Sequence, residues 1–160
     1  MVDKIIESMI DYFGNDVRRI NHALKVYSFA RCIGKLEKLD RDKQTILEIS
    51  AVLHDIGIKI SEEKYNSSSG KYQELEGPGI ARHILEKFHI NDDKLNRILY
   101  IIGNHHSYSK IDGIDFQILV ESDFLVNIFE DCLDKNSIES IKIKYFKTNA
   151  GIKYINTMYE

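Results

Sequence analysis

The 160-residue chain has no tryptophan, one proline and two cysteines. With proline confined to Pro78, the commonest helix breaker is missing from nearly the whole chain. Cys32 and Cys132 lie far apart and form no paired-cysteine metal spacing; both read as buried or half-buried thiols of a reducing compartment. No apolar run approaches the length that spans a bilayer. The amphipathic start "MVDKIIESMIDYF" carries acidic residues throughout, unlike a signal peptide, so the expected location is the cytoplasm, with no membrane partner. An excess of one charge is missing too. Lys plus Arg is 22 against 25 for Asp plus Glu, a net charge of −3, which speaks against a dedicated nucleic-acid surface. The densest basic run, "KIKYFK" at 142–147, alternates with apolar residues as a helix flank does. Strand signals are also lacking, since no turn is bounded by alternating runs on both sides.

What remains is helical period. Apolar residues make up 43% of the chain and charged residues 29%, ordinary values that leave enough apolar surface for one sizeable core. Helices are predicted over 2–14, 16–37, 42–57, 77–88, 91–107 and 115–131, with one or two more over 137–160 joined near Asn149 to Gly151. Asn15 or Asp16, Asp42, and Asn91 or Asp92 are placed to cap starts, and Pro78 suits a first turn. The segment 59–76, "KISEEKYNSSSGKYQELE", has no steady period and reads as a long loop able to cover a site, with Lys64, Tyr65, Lys71 and Tyr72 available for contacts. The expected fold is all-α, one helical bundle over 1–160.

Within these helices the polar residues fall in unusual places. "AVLHDIG" puts His54 and Asp55 at the end of an apolar stripe. His22 lies between Ile20 and Leu24, His83 between Ile80 and Ile84, and His105 and His106 close another apolar helix. Asp123 interrupts "ILVESDFLVNI". A lone histidine on an apolar face is ordinarily a satisfied core residue, but five in four helices, with two aspartates, point to a shared partner. Helices packed about 8–10 Å apart let such side chains converge. Imidazole and carboxylate together suit Mn, Fe, Co, Ni or Zn, whereas an all-oxygen shell suits Mg or Ca. The set exceeds what one tetrahedral zinc needs, so two metals bridged by a carboxylate are expected. Asp55 is the natural bridge, if the helix unwinds near Gly57 and lets residues 54 and 55 aim at one site.

The order His22, "HD" at 54–55, then Asp123 resembles the HD-domain metal-dependent phosphohydrolases, and His83 with "HH" at 105–106 resembles their two-metal branches. The resemblance covers roughly residues 16–130, with the C-terminal helices 137–160 as a continuation. It implies a single HD-type helical domain, mostly cytoplasmic, that hydrolyses a phosphoester or phosphoanhydride of a nucleotide-like molecule. By position, His22, His54, Asp55 and Asp123 match the basic ligand set, His83 and His105 match the second metal's ligands, and His106 matches a further one. Ser107 follows the paired histidine where the cyclic-dinucleotide phosphodiesterases have glutamate, and "DGID" at 112–115 carries no "YP", which speaks against that subclass. Ile58 stands where many members have lysine, and Lys59 follows it.

On this reading two divalent transition metals are expected, iron or manganese first, with cobalt, nickel, zinc and magnesium kept open. Asp55 would bridge them, Asp123 complete the ligand shell, and His106 or Asp123 orient the attacking water. Arg18, Lys25, Lys59 and Arg82 are the candidate cations for substrate phosphate, and "GPG" at 77–79 offers amides at a helix start. Two other classes share the ligand set: a non-catalytic metal-bound sensing domain, and a di-iron oxygenase of HD type. A bundle without metal is a third alternative.

Overall fold

The structure, a computed structural model, describes residues 1–159. Among these residues there is no strand, and the chain forms an all-α bundle. In order the helices are α1 (Val2–Phe13), α2 (Val17–Leu36), α3 (Arg41–Leu53), α4 (Ile58–Tyr65), α5 (Gly70–Leu85), α6 (Asp92–Ile102), α7 (Ile114–Glu130), α8 (Lys135–Tyr145) and α9 (Asn149–Tyr159). Short 3₁₀ turns at Glu86–Phe88 and Tyr108–Lys110 follow α5 and precede α7. Among the described residues no helix is long and apolar enough to cross a membrane.

Local chemistry explains most of the boundaries. Asp16, Asp40, Asn91 and Asp134 each accept a hydrogen bond from the backbone N–H three residues on, which starts α2, α3, α6 and α8. The cap of α3 is thus Asp40 rather than Asp42. Gly14 ends α1 at a positive φ of 63°, which suits a residue without Cβ. α3 is the central element. Its residues from Ile49 to Leu53 are all buried, and it packs against α1, α2, α6 and α7. α2 lies across both α3 and α7, and α5 lies against α4 and α6. The C-terminal ends of α3 and α6 and the flanks of α2 and α7 therefore meet.

The structure corrects four further expectations of the fold. Residues 59–76 are not a loop: α4 and the start of α5 occupy them, joined by Asn66 to Ser69. Both are polar surface helices that bury only Ser61 and Gln73 in this stretch, so no apolar stripe marks them. Pro78 then sits inside α5, not in a first turn, so "GPG" offers no helix-start amides. Cys32 and Cys132 are both exposed. The joint between the last two helices falls at Phe146 to Thr148, where the buried Glu121 of α7 accepts from the backbone N–H of Lys147 at 2.7 Å and of Thr148 at 2.9 Å. A Cβ on Gly151 would lie 2.0 Å from that carboxylate, so the glycine makes room for it.

One ion pair fastens α6 to α7. Arg97 donates from Nε and Nη2 to the two oxygens of Asp115 at 2.9 and 2.7 Å. Burial alone would raise the Asp115 carboxyl, but the hydrogen bonds and charge of Arg97 outweigh it and hold it below the ordinary carboxylate range. A depressed folded-state value means the pair's contribution is fully present above the unfolded carboxyl's range, about pH 4, and is lost as pH falls through the folded value. Asp115→Asn is expected to destabilise the protein by about 2 kcal/mol at pH 7. The deficit should shrink as denaturant melts are taken to more acidic pH; a deficit unchanged at acid pH would contradict the pair's role.

Candidate metal centre

The meeting point of α2, α3, α6 and α7 gathers six ligand-type side chains. His22 comes from the second turn of α2 and Asp123 from the middle of α7. His54 and Asp55 lie in the turn after α3, and His105 and His106 in the turn after α6. They form two triads, His22–His54–Asp123 and Asp55–His105–His106, each with its donor atoms within 4.8 Å of one another. Asp55 joins them: its Oδ2 lies 3.5 Å from Nε2 of both His22 and His54, and its Oδ1 lies 3.2 Å from Nε2 of His105.

Three of the imidazoles have their tautomers set by the other ring nitrogen. His54 Nδ1 donates to the Ala51 carbonyl at 2.9 Å, and His105 Nδ1 to the Ile102 carbonyl at 2.8 Å. Both are carbonyls that a helix C-terminus leaves without an intrahelical partner. His22 Nδ1 donates to Glu130 Oε2 at 2.8 Å, and Lys25 holds the other oxygen of Glu130. Each Nε2 of the neutral ring is thereby a lone pair aimed at the centre, the arrangement metal-binding histidines take.

The donor spacing fits a cation. His22 Nε2 is 3.2 Å from His54 Nε2 and 3.1 Å from Asp123 Oδ1, and His54 Nε2 is 3.6 Å from that oxygen. Bonds of about 2.0–2.2 Å to one ion put neighbouring donors roughly 3.0–3.5 Å apart. Two facing lone pairs and two carboxylates repel unless something positive lies among them. Protons do this in the metal-free protein. Burial disfavours the charged His54 ring, yet Asp55 and Asp123 outweigh burial and push its pKa up to about 9. His22 is raised against burial by the hydrogen bond and charge of Asp123. Asp55 is held well below the carboxylate range, against burial, by the charge of His54 and the hydrogen bond and charge of His105, and Asp123 likewise by His22 and His54. His106 goes the other way: burial and the charge of His105 lower it to about 4, so its ring stays neutral and able to ligate.

The HD-domain family model matches residues 19–139, a stretch that contains all six of these side chains. The chain belongs to the HD-domain family. The fold is similar to that of a crystal structure of a predicted HD superfamily hydrolase from an uncultured Thermotogales bacterium, with a TM-score of 0.72 at 20% identity over 98% of this chain and 84% of that one. No curated protein matches the chain significantly in sequence.

His83 is the one expected ligand that this HD domain does not bring to the centre. It lies on the outer face of α5 with its side chain 86% exposed, 3.4 Å from Glu86. The buried face of α5 carries Gln73, Gly77, Ala81 and Ile84 instead, so His83 between Ile80 and Ile84 is one step round from the face that matters. Gln73 approaches the centre from α5, with its Oε1 3.4 Å from His106 Nε2. Next to it Glu74 accepts from the His106 backbone N–H and from the Ser107 hydroxyl, both at 3.0 Å, and so clamps the turn that carries the paired histidines.

The expected phosphate cations also separate. Lys59 donates to the Tyr12 carbonyl at 3.1 Å and lies over that ring, turned toward α1. Arg82 is exposed on α5, and Lys25 is committed to Glu130. Lys64 and Tyr65 bind Glu76, while Tyr65 and Tyr72 stack on each other. Arg18 remains. It lines a cavity of about 400 Å³ that opens onto His22 and Asp55, and among the described residues it has no hydrogen-bond or ion-pair partner.

Proposed function

We propose that this HD domain is a metal-dependent hydrolase of phosphoesters, holding a pair of divalent transition metals of the iron or manganese type. The observation that carries the reading is the divided carboxylate of Asp55, with one oxygen toward each triad. His22, His54 and Asp123 would hold one ion, His105 and His106 the other, and Asp55 both. When bound, such ions supply Lewis-acid activation of water and neutralise charge on phosphoryl oxygens. A donor set of imidazoles and carboxylates suits iron and manganese better than calcium.

The chain's own groups supply the rest. Glu130, itself held by Lys25, keeps His22 in the ligating tautomer, and the Ala51 and Ile102 carbonyls do the same for His54 and His105. Arg18 is free to bind a phosphoryl oxygen, since Arg19 is already held between Asp16 and Glu62, at 2.6 Å from each. His106, neutral and beside Gln73, orients the attacking water or completes the ligand set. The partner is thus a small phosphorylated molecule.

The test is hydrolysis of p-nitrophenyl phosphate by protein loaded in turn with Mn, Fe, Co, Ni, Zn and Mg, alongside elemental analysis. Absence of both turnover and bound metal would remove the proposal, and metal-dependent oxygen uptake without phosphate release would replace it with the oxygenase reading. A paired comparison bears on the ligands. His105→Ala is expected to bind about half the metal of the parent, whereas His83→Ala binds the full amount. Equal content in both variants would contradict the assignment of His105.

A further inference from the structure

The cavity beside the metal centre has a composition that the hydrolase reading does not require. Its wall carries five carboxylates, those of Asp16, Asp55, Glu62, Glu130 and Asp131, against the two guanidiniums of Arg18 and Arg19. With two divalent ions bound, and with Asp123 of the first triad counted among their ligands, the net charge there is only about zero, which leaves little positive charge for a chain of phosphates. Arg19 is spent on Asp16 and Glu62, which leaves Arg18 as the one free cation of the wall among the described residues. The remaining free polar groups suit hydroxyls. Ser68 presents its hydroxyl, Asn127 keeps its carbonyl oxygen after donating to Asp123 at 2.9 Å, and the Asp131 carboxylate has no partner among the described residues. No Phe or Tyr among the described residues lines the cavity, and the His22 imidazole that does is committed to Glu130 and the metal centre, so a purine or pyrimidine finds no uncommitted ring to stack on. The volume, about 400 Å³, is near the small end for ligand pockets.

We propose that the substrate is a compact phosphomonoester of a hydroxyl-rich alcohol, of sugar-phosphate size, and not a nucleotide or a polyphosphate. This rests on the hydrolase reading for its chemistry. Water forms a new P–O bond, the bond from phosphorus to the alcohol oxygen breaks, and the alcohol leaves with a proton as inorganic phosphate forms. Arg18 binds a non-reacting phosphoryl oxygen, Ser68 donates to the alcohol's oxygens, and Asp131 and Asn127 accept from its hydroxyls. The acidic rim does the excluding. A β- or γ-phosphate would be brought toward the unpaired Asp131.

The experiment is calorimetric titration of manganese-loaded full-length protein with ribose 5-phosphate, glucose 6-phosphate, AMP and ATP, together with phosphate release from each. The sugar phosphates are expected to bind at least about tenfold more tightly than AMP or ATP and to be hydrolysed in that order. Asp131→Arg is expected to narrow the gap to ATP by about tenfold, because it reverses a charge at the rim. AMP or ATP binding as tightly as the best sugar phosphate, or an unchanged ratio in Asp131→Arg, would overturn the proposal. Tight, selective binding of sugar phosphates without hydrolysis of them or of p-nitrophenyl phosphate would support the recognition and sink the hydrolase reading alone.

Discussion

An Asp55→Ala protein is expected to lose bound metal and hydrolytic turnover together, with turnover down roughly a thousandfold or more. Every other ligand belongs to one triad, whereas Asp55 faces both. On the proposed two-metal reading, removing it would take a donor from each ion and the negative charge that offsets the repulsion between them. The loss should also appear in stability. Metal at a hundredfold its dissociation constant adds about 2.7 kcal/mol, which for a chain of this length is roughly 5–10 °C in melting temperature. The parent should show that rise on adding manganese, and Asp55→Ala should show little of it. Asp55→Asn separates shape from charge: it retains one carbonyl-type oxygen, so it should bind one ion weakly and still fail to turn over. A variant with the parent's metal content and the parent's manganese-dependent rise would refute the bridging role.

The legible part of this site was the part that breaks a pattern. His22, His54, Asp55, His105, His106 and Asp123 stand out because a titratable group on an apolar helix face needs a partner, and the structure unites all six. His83 shows where that reasoning stops. Its flanking isoleucines suggest a buried face, but a helical side chain advances about 100° per residue, so lying between two apolar positions does not put it among them. The supporting groups were less visible for a different reason. Glu130 and Asn127 are seven and four residues beyond Asp123, on the same face of α7, and the helical repeat alone places them beside the ligand. Gln73 and Glu74 had no such cue, because α4 and the start of α5 are polar helices whose packing depends on small residues and not on an apolar stripe. The fold class was written in the apolar periods; the path between α3 and α5 was written in glycines, whose meaning depends on what comes close to them.

Gly57 is the clearest of these, and replacing it is expected to have the largest effect on stability. Its φ of −75° is ordinary, so the glycine does not serve to unwind the turn after His54. Its role is contact. A Cβ at Gly57 would lie 2.5 Å from the Gln73 carbonyl oxygen, 2.7 Å from the Gly77 backbone nitrogen and 3.0 Å from the Gly77 Cα. All three are backbone atoms of α5 and none can swing aside. On the far side a Cβ at Gly77 would already meet the Ile102 side chain at 3.0 Å, so α5 has little room to retreat. Gly57→Ala should therefore cost about 3 kcal/mol, the upper end for overpacking, and lower the melting temperature by roughly 10 °C. Function should suffer with it, since α5 carries Glu74, which holds the His106 turn, and Gln73, which lines the cavity. Gly79→Ala is the control. It lies in α5 as well, with nothing within 4 Å of the place a methyl group would take, so alanine there should be neutral or stabilise the protein by about 0.5–1 kcal/mol. Opposite signs at two glycines in contacting segments would locate the requirement at the junction of the His54–Asp55 turn with α5, whereas equal melting temperatures for parent and Gly57→Ala would show that α5 yields there freely.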